Sequence, residues 1–75
     1  MTTAEEVKDE ALSLAQKGLD DERAISLLLT RADRRVPVVM AKRLLEAQLF
    51  EDPSDSVATA LKLVEEILER DIWAE

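Results

Sequence analysis

Hydrophobic residues recur at helical spacing along four stretches of the chain. At about 100° per residue, each stretch collects its apolar residues on one side, which is typical of helices that pack on a shared core. The predicted core faces are Val7, Ala11, Leu14 and Ala15 in the first helix, Ala24, Ile25, Leu28, Leu29 and Ala32 in the second, and Val57, Ala60, Leu61, Val64, Ile67 and Leu68 in the fourth.

Local signals place the ends of the first two helices. Thr3 followed by Glu6 is a capping-box pattern, and Gly18 stands where a left-handed residue would end a helix, so the first helix is predicted over 4–17. Asp20 is expected to cap a second helix over 21–34.

Prolines mark the starts of the last two helices. Pro37 lacks an amide that the first turn of a helix does not need, so the third helix is predicted from about Pro37 to Phe50. Asp52 followed by Pro53 is a further start signal, which predicts a fourth and longest helix over 53–72.

The third helix is apolar over nearly half of its circumference. Its wide apolar face comprises Val38, Met40, Ala41, Leu44, Leu45, Ala47 and Leu49, whereas Val39 and Phe50 point to the other side. This breadth predicts that the third helix is central and that Leu44 lies in the core.

Several large apolar residues fall outside the predicted core faces, and the fourth helix is expected to outlast its neighbours. Large apolar side chains without a place in the core suggest a protein interface. The sequence therefore predicts a homodimer built largely on the fourth helix, with an interface comprising Leu27, Val39, Phe50, Leu63, Leu68, Ile72 and Trp73.

Composition agrees with a small folded domain. Of the 75 residues 47% are hydrophobic and 36% are charged, which is enough apolar material for a core despite a net charge of −7. We expect one all-α domain over 1–75, a small antiparallel four-helix bundle with a long C-terminal helix. The start of the chain lacks signal-peptide features and its apolar runs are short, so we expect a cytoplasmic protein without a membrane segment.

A basic cluster interrupts this acidic chain. Arg31, Arg34, Arg35, Lys42 and Arg43 stand within thirteen positions that hold one acidic residue. Beside the free amides of the third helix, the cluster could bind a phosphate or a carboxylate. Alternatively, the arginines complement the C-terminal end of the second helix and pair with nearby acids. Two features disfavour nucleic acid as a partner: the rest of the chain is acidic, and no aromatic residue lies in the cluster to stack on bases.

Catalytic chemistry has few candidates in this sequence. The chain has no His, Cys or Tyr, and these side chains most often shuttle protons, attack substrates or bind metals near neutral pH. Carboxylate pairs such as Glu6 with Glu10, and Glu65 with Glu69, are predicted to be solvated. We therefore expect no enzymatic activity, cofactor or metal.

One motif resembles a known attachment site. Asp55-Ser56-Val57, with Leu61, Val64 and Glu65-Glu66 after it, resembles the Asp-Ser-Leu phosphopantetheine site of acyl carrier proteins, in which the serine carries the prosthetic group. In that family the serine opens the second of four helices. Here only 19 residues follow Ser56, enough for one helix.

These observations together favour a non-enzymatic protein–protein interaction or regulatory module that self-associates. The alternative is a nucleic-acid-associated regulator that uses the basic cluster. A third possibility is an acyl-carrier-like protein modified on Ser56.

Overall fold

The chain folds into four α-helices without strands in the residues described. A computed structural model describes residues 3–32 and 34–70. The helices are α1 (Ala4–Lys17), α2 (Asp21–Arg31), α3 (Arg35–Glu51) and α4 (Asp55–Glu69). The predicted all-α bundle of four helices is therefore confirmed. None of the helices in the described ranges is both long and apolar enough to cross a membrane.

The first two helices begin at their predicted caps. Thr3 Oγ1 accepts a hydrogen bond from the Glu6 amide at 3.2 Å, and Asp20 Oδ1 accepts one from the Arg23 amide at 2.8 Å. Gly18 ends α1 in the left-handed conformation at φ 70°, which residues with a Cβ adopt only at a steric cost. These caps depend on residues three or four positions apart, so sequence reasoning could find them.

Two other boundaries differ from the sequence prediction. The second helix ends at Arg31 rather than at residue 34, and α3 begins at Arg35, so that Pro37 is its third residue. Pro37 still lies in the first turn, where its missing amide costs no helical hydrogen bond. Arg34 and Arg35 therefore lie at the start of α3, and Arg31 is the basic residue in the last turn of α2.

The start of α4 was also predicted wrongly. The Asp52 amide donates to the Gln48 carbonyl at 2.8 Å, which makes Asp52 the C-cap of α3. The N-cap of α4 is Ser54, whose Oγ accepts from the Val57 amide at 3.2 Å. Helix α4 has 15 residues and α3 has 17, so the fourth helix is not the longest.

The core lies between α1, α3 and α4, and α2 covers one side. Helices α1, α3 and α4 pack against one another, and α2 packs on α1 and α4. Connections of three residues join α1 to α2 and α3 to α4, as in antiparallel helical hairpins. Every buried side chain in the described ranges is apolar. The buried residues are Val7, Ala11, Leu14, Ala24, Ile25, Leu28, Ala32, Val38, Ala41, Leu45, Val57, Ala60, Leu63, Val64 and Ile67.

The third helix is not the central helix that the sequence predicted. It packs only on α1 and α4, and its backbone does not approach that of α2 within the described ranges. Leu44 is 38% exposed, whereas Leu45 is fully buried. Helices α1 and α4 contact all the others, and this explains why α4 buries Leu63 beyond its predicted face.

Candidate interaction surface

Helix α3 carries apolar side chains on two opposite sides. Val38, Ala41 and Leu45 face the core. A second row lies on the solvent side, and we call it the outer strip. It consists of Val36, Val39, Met40, Arg43, Ala47 and Phe50. At 100° per residue, all of these except Val39 fall within an arc of about 80° centred opposite the core face.

The outer strip is open to solvent except at Val39. Val36 is 71% exposed, Met40 is 48% exposed and Phe50 is 89% exposed, while Val39 is half-buried. Scattered apolar residues are ordinary on protein surfaces, but several in register along one helix form a patch. Phe50 is the only phenylalanine in the chain, and its ring is almost entirely in water.

A shallow groove lies at the N-terminal end of the outer strip. Its volume is about 210 Å³, and its walls are formed by Arg35, Val36, Val39, Met40 and Arg43. The groove therefore combines three apolar side chains with two exposed arginines. Arginine beside apolar side chains is typical of protein interfaces, where the guanidinium binds a carboxylate and the stem packs on apolar groups.

The interface predicted from the sequence is only partly found at the surface. Leu27 and Phe50 are exposed, as expected. The prediction that Leu63 is a surface residue is wrong, because it is 2% exposed in the core.

The C-terminal end of α4 was expected to contribute the rest of this interface. Leu68 is half-buried and packs against the core, so it does not overhang the bundle. Ile72 and Trp73 lie outside the described residues.

Sequence reasoning missed three members of the outer strip. Val36 was not considered, and Met40 and Ala47 were assigned to the core face. The available signal was the order of apolar positions in the third helix, which fits two opposite faces better than one broad face. Because Met40 and Ala47 were assigned to the buried face, the exposed row was predicted only in part.

The residues of the basic cluster have different neighbours in the described part of the chain. Arg31 lines a depression with Glu6, Asp9 and Glu10 of α1. The Lys42 Nζ lies 3.8 Å from Glu65 Oε2 on α4.

The remaining arginines lie at or near the start of α3. Arg35 and Arg43 line the groove of the outer strip, and Arg34 is the exposed N-cap residue of α3, without a side-chain capping hydrogen bond in the described ranges. Of the five predicted anion-binding residues, Arg35 and Arg43 thus share one groove, whereas Arg31 and Lys42 lie near acidic residues of other helices. Binding of an anion by these residues remains a prediction.

The polar groups elsewhere on the surface have local roles. Asp20 caps α2, and the Asp21 carboxylate lies 3.6 Å from Lys62 Nζ. Ser56 is half-buried in the first turn of α4, next to the capping Ser54. Among the described residues, no cluster of acidic side chains is arranged to hold a metal ion.

Comparisons with known proteins add no functional information. No protein-family model matches the chain, and neither the curated proteins nor the solved structures that were compared give a match. The function must therefore be argued from the surface of the molecule.

Proposed function

We propose that this protein is a non-enzymatic protein–protein interaction module whose binding surface is the outer strip of α3. The observation that supports this is the exposure of Phe50, Met40 and Val36 in one row on a helix whose opposite side is fully packed. Covering a side chain of this size contributes roughly 1.5 to 3 kcal/mol. An isolated folded chain does not gain this free energy, because the side chains of the strip remain in water.

The chemistry of the outer strip suits a helical or extended apolar partner. Phe50 is an aromatic anchor at one end, and Arg35 and Arg43 line the groove at the other. Aromatic residues, Met and Arg are enriched in interface centres, and a few such residues supply most of the binding free energy. A partner would therefore place apolar side chains on the strip and acidic side chains near the arginines.

Variants of the outer strip test this proposal. The purified full chain is immobilised and exposed to extract of its native cell, and the retained proteins, including native copies of the chain itself, are identified. Met40→Ser with Phe50→Ser should abolish retention. Leu27→Ser is the matched control, because Leu27 is also exposed but lies on α2, away from the strip. Equal retention by all three chains would refute the outer strip as the binding surface.

A nucleic-acid-associated regulator is the second candidate. It is favoured by Arg35 and Arg43, which lie on one groove, with Arg34 adjacent in the chain. The separation of Arg31 and Lys42 from this groove weakens it. Binding to RNA or DNA, measured at two salt concentrations, tests this candidate. Each phosphate contact makes the affinity fall steeply with salt, so a nucleic-acid-binding groove should show this dependence.

A further inference from the structure

The spacing of the outer strip fits another helix. Val36, Met40, Arg43, Ala47 and Phe50 follow one another at alternating intervals of four and three residues. Side chains at these intervals form a single seam along a helix, and such a seam packs into the corresponding seam of a second helix. The strip therefore has the geometry of one half of a helix pair.

The charges along α3 are sorted by sign. Arg35 is its first residue and Arg43 its central one, and Glu46 and Glu51 belong to its C-terminal half. All four side chains are exposed. Any helix paired with α3 thus meets positive charge at one end of the strip and negative charge at the other.

This order is opposite to the one that a helix dipole favours. Acidic residues stabilise the first turn of a helix and basic residues the last turn. Helices α1, α2 and α4 have acids in their first turns, but α3 has neither an acid in its first turn nor a base in its last. The charge pattern of α3 therefore does not serve the isolated helix, and it matches an oppositely oriented copy of itself.

We propose that the occupant of the outer strip is the outer strip of a second copy of this chain, with the two α3 helices antiparallel about a twofold axis. The inference rests on the proposed function and names its partner. In this arrangement Arg43 of each copy lies near Glu46 of the other, and Phe50 of each copy lies near Met40 of the other. Because a twofold axis repeats each contact, every favourable pair occurs twice.

The small side chain of Ala47 makes room for this pairing. Arg43 lies within the seam, and its long stem needs a small residue opposite it if the guanidinium is to reach the carboxylate. In the register that places Phe50 beside Met40, Arg43 crosses the second helix at Ala47, next to Glu46. The one charged residue of the seam is thereby placed between a small residue and an opposite charge.

Long-range repulsion between the copies sets the conditions of the test. Each copy carries a net charge of −7. At about 0.15 M ionic strength the screening length is about 8 Å, so repulsion between distant charges is weak while contacts across the seam persist. Association should therefore be measured at about this ionic strength, since higher salt would also weaken the exposed pairs of Arg43 with Glu46.

A charge exchange between two variants tests the pairing. Sedimentation over a wide concentration range measures the association of the wild type, of Arg43→Glu and of Glu46→Arg. Each single variant places like charges together twice, so its association constant should fall by about tenfold. A mixture of the two variants restores opposite charges at both contacts and should associate at least as strongly as the wild type.

Controls separate association from folding. Arg43 and Glu46 are three residues apart on α3, so they also interact within one helix. Circular dichroism melts at low concentration measure how each single variant changes the stability of its own helix. Mixing the two variants does not reverse this change, because it arises within one chain. The double variant Arg43→Glu with Glu46→Arg keeps the net charge of −7 and should associate like the wild type.

Disulfide trapping tests the antiparallel orientation. The chain has no cysteine, so engineered cysteines are the only thiols. Met40→Cys mixed with Phe50→Cys should form a mixed disulfide under oxidation. Met40→Cys alone should not, because this antiparallel register separates the two copies of position 40 by roughly 15 Å. A disulfide-linked Met40→Cys dimer instead would refute the antiparallel arrangement.

The remaining outcomes distinguish this inference from the proposed function. A wild-type chain that stays monomeric at every concentration overturns the self-pairing, whereas capture of a foreign protein that depends on Met40 and Phe50 would still support the proposed function. A dimer that persists unchanged in Met40→Ser with Phe50→Ser overturns both, because the contact would then lie elsewhere. Failure of the mixed variants to associate better than either alone overturns the self-pairing.

Discussion

Single substitutions of two adjacent leucines of α3 by alanine distinguish the buried face of the helix from its exposed flank. Leu45 is fully buried against α1 and α4, and Leu44 is 38% exposed on the flank of the helix. Truncating a buried leucine removes its apolar transfer free energy and leaves a cavity, which together destabilise proteins by about 2 to 5 kcal/mol. At Leu44 the vacated space opens to water, so no cavity forms and the loss should be about 1 kcal/mol or less.

These magnitudes are large for a chain of this size. Stabilities of roughly 0.05 to 0.15 kcal/mol per residue give about 4 to 11 kcal/mol for the whole domain. Leu45→Ala should therefore lower the melting temperature by roughly 10 to 30 °C and could leave the domain partly unfolded at room temperature. Leu44→Ala should lower it by only a few degrees.

Urea unfolding followed by circular dichroism measures both variants. It should be repeated at several protein concentrations, because self-association would add a concentration-dependent contribution to the apparent stability. Equal losses of stability in Leu44→Ala and Leu45→Ala would show that α3 buries a single broad face. A larger loss in Leu44→Ala would mean that the orientation of α3 in the bundle is wrong.

Two further predictions concern helix ends. Gly18→Ala should destabilise the domain by about 1 kcal/mol, because Gly18 has φ 70° and alanine is strained there; a melting temperature equal to or above that of the wild type would contradict the left-handed cap. Ser54→Ala should cost about 1 kcal/mol by removing the hydrogen bond to the Val57 amide. Asp52→Ala should cost less, since only the backbone of Asp52 takes part in capping; the reverse order in thermal melts would restore Asp52 as the cap of α4.

The sequence determined the local structure well where the signal was a cap. Thr3, Gly18 and Asp20 mark helix ends in both the sequence and the structure. Where two capping residues stood close together, the sequence could not choose between them, and Ser54 rather than Asp52 begins α4. Which residue caps α4 depends on where α3 ends, and the Asp52 amide already caps the C-terminal end of α3.

The candidate surface could be predicted only in part. The exposure of Phe50 followed from its position off the apolar face, but Leu63 has the same kind of position and is buried. Phe50 and Leu63 differ in burial because their helices have different numbers of neighbouring helices. Helix α4 contacts three other helices and is covered on more than one side, whereas α3 contacts two.

Helical periodicity shows which residues share a face, because it follows from the geometry of a single helix. It does not show whether a neighbouring helix covers that face, because this depends on how all four helices fit around a limited volume of core. The sequence by itself determined four helices, both ends of α1, the start of α2 and the face of α1 that is buried. The tertiary structure decided that one apolar side of α3 packs against α1 and α4, and that the other, from Val36 to Phe50, is left to solvent.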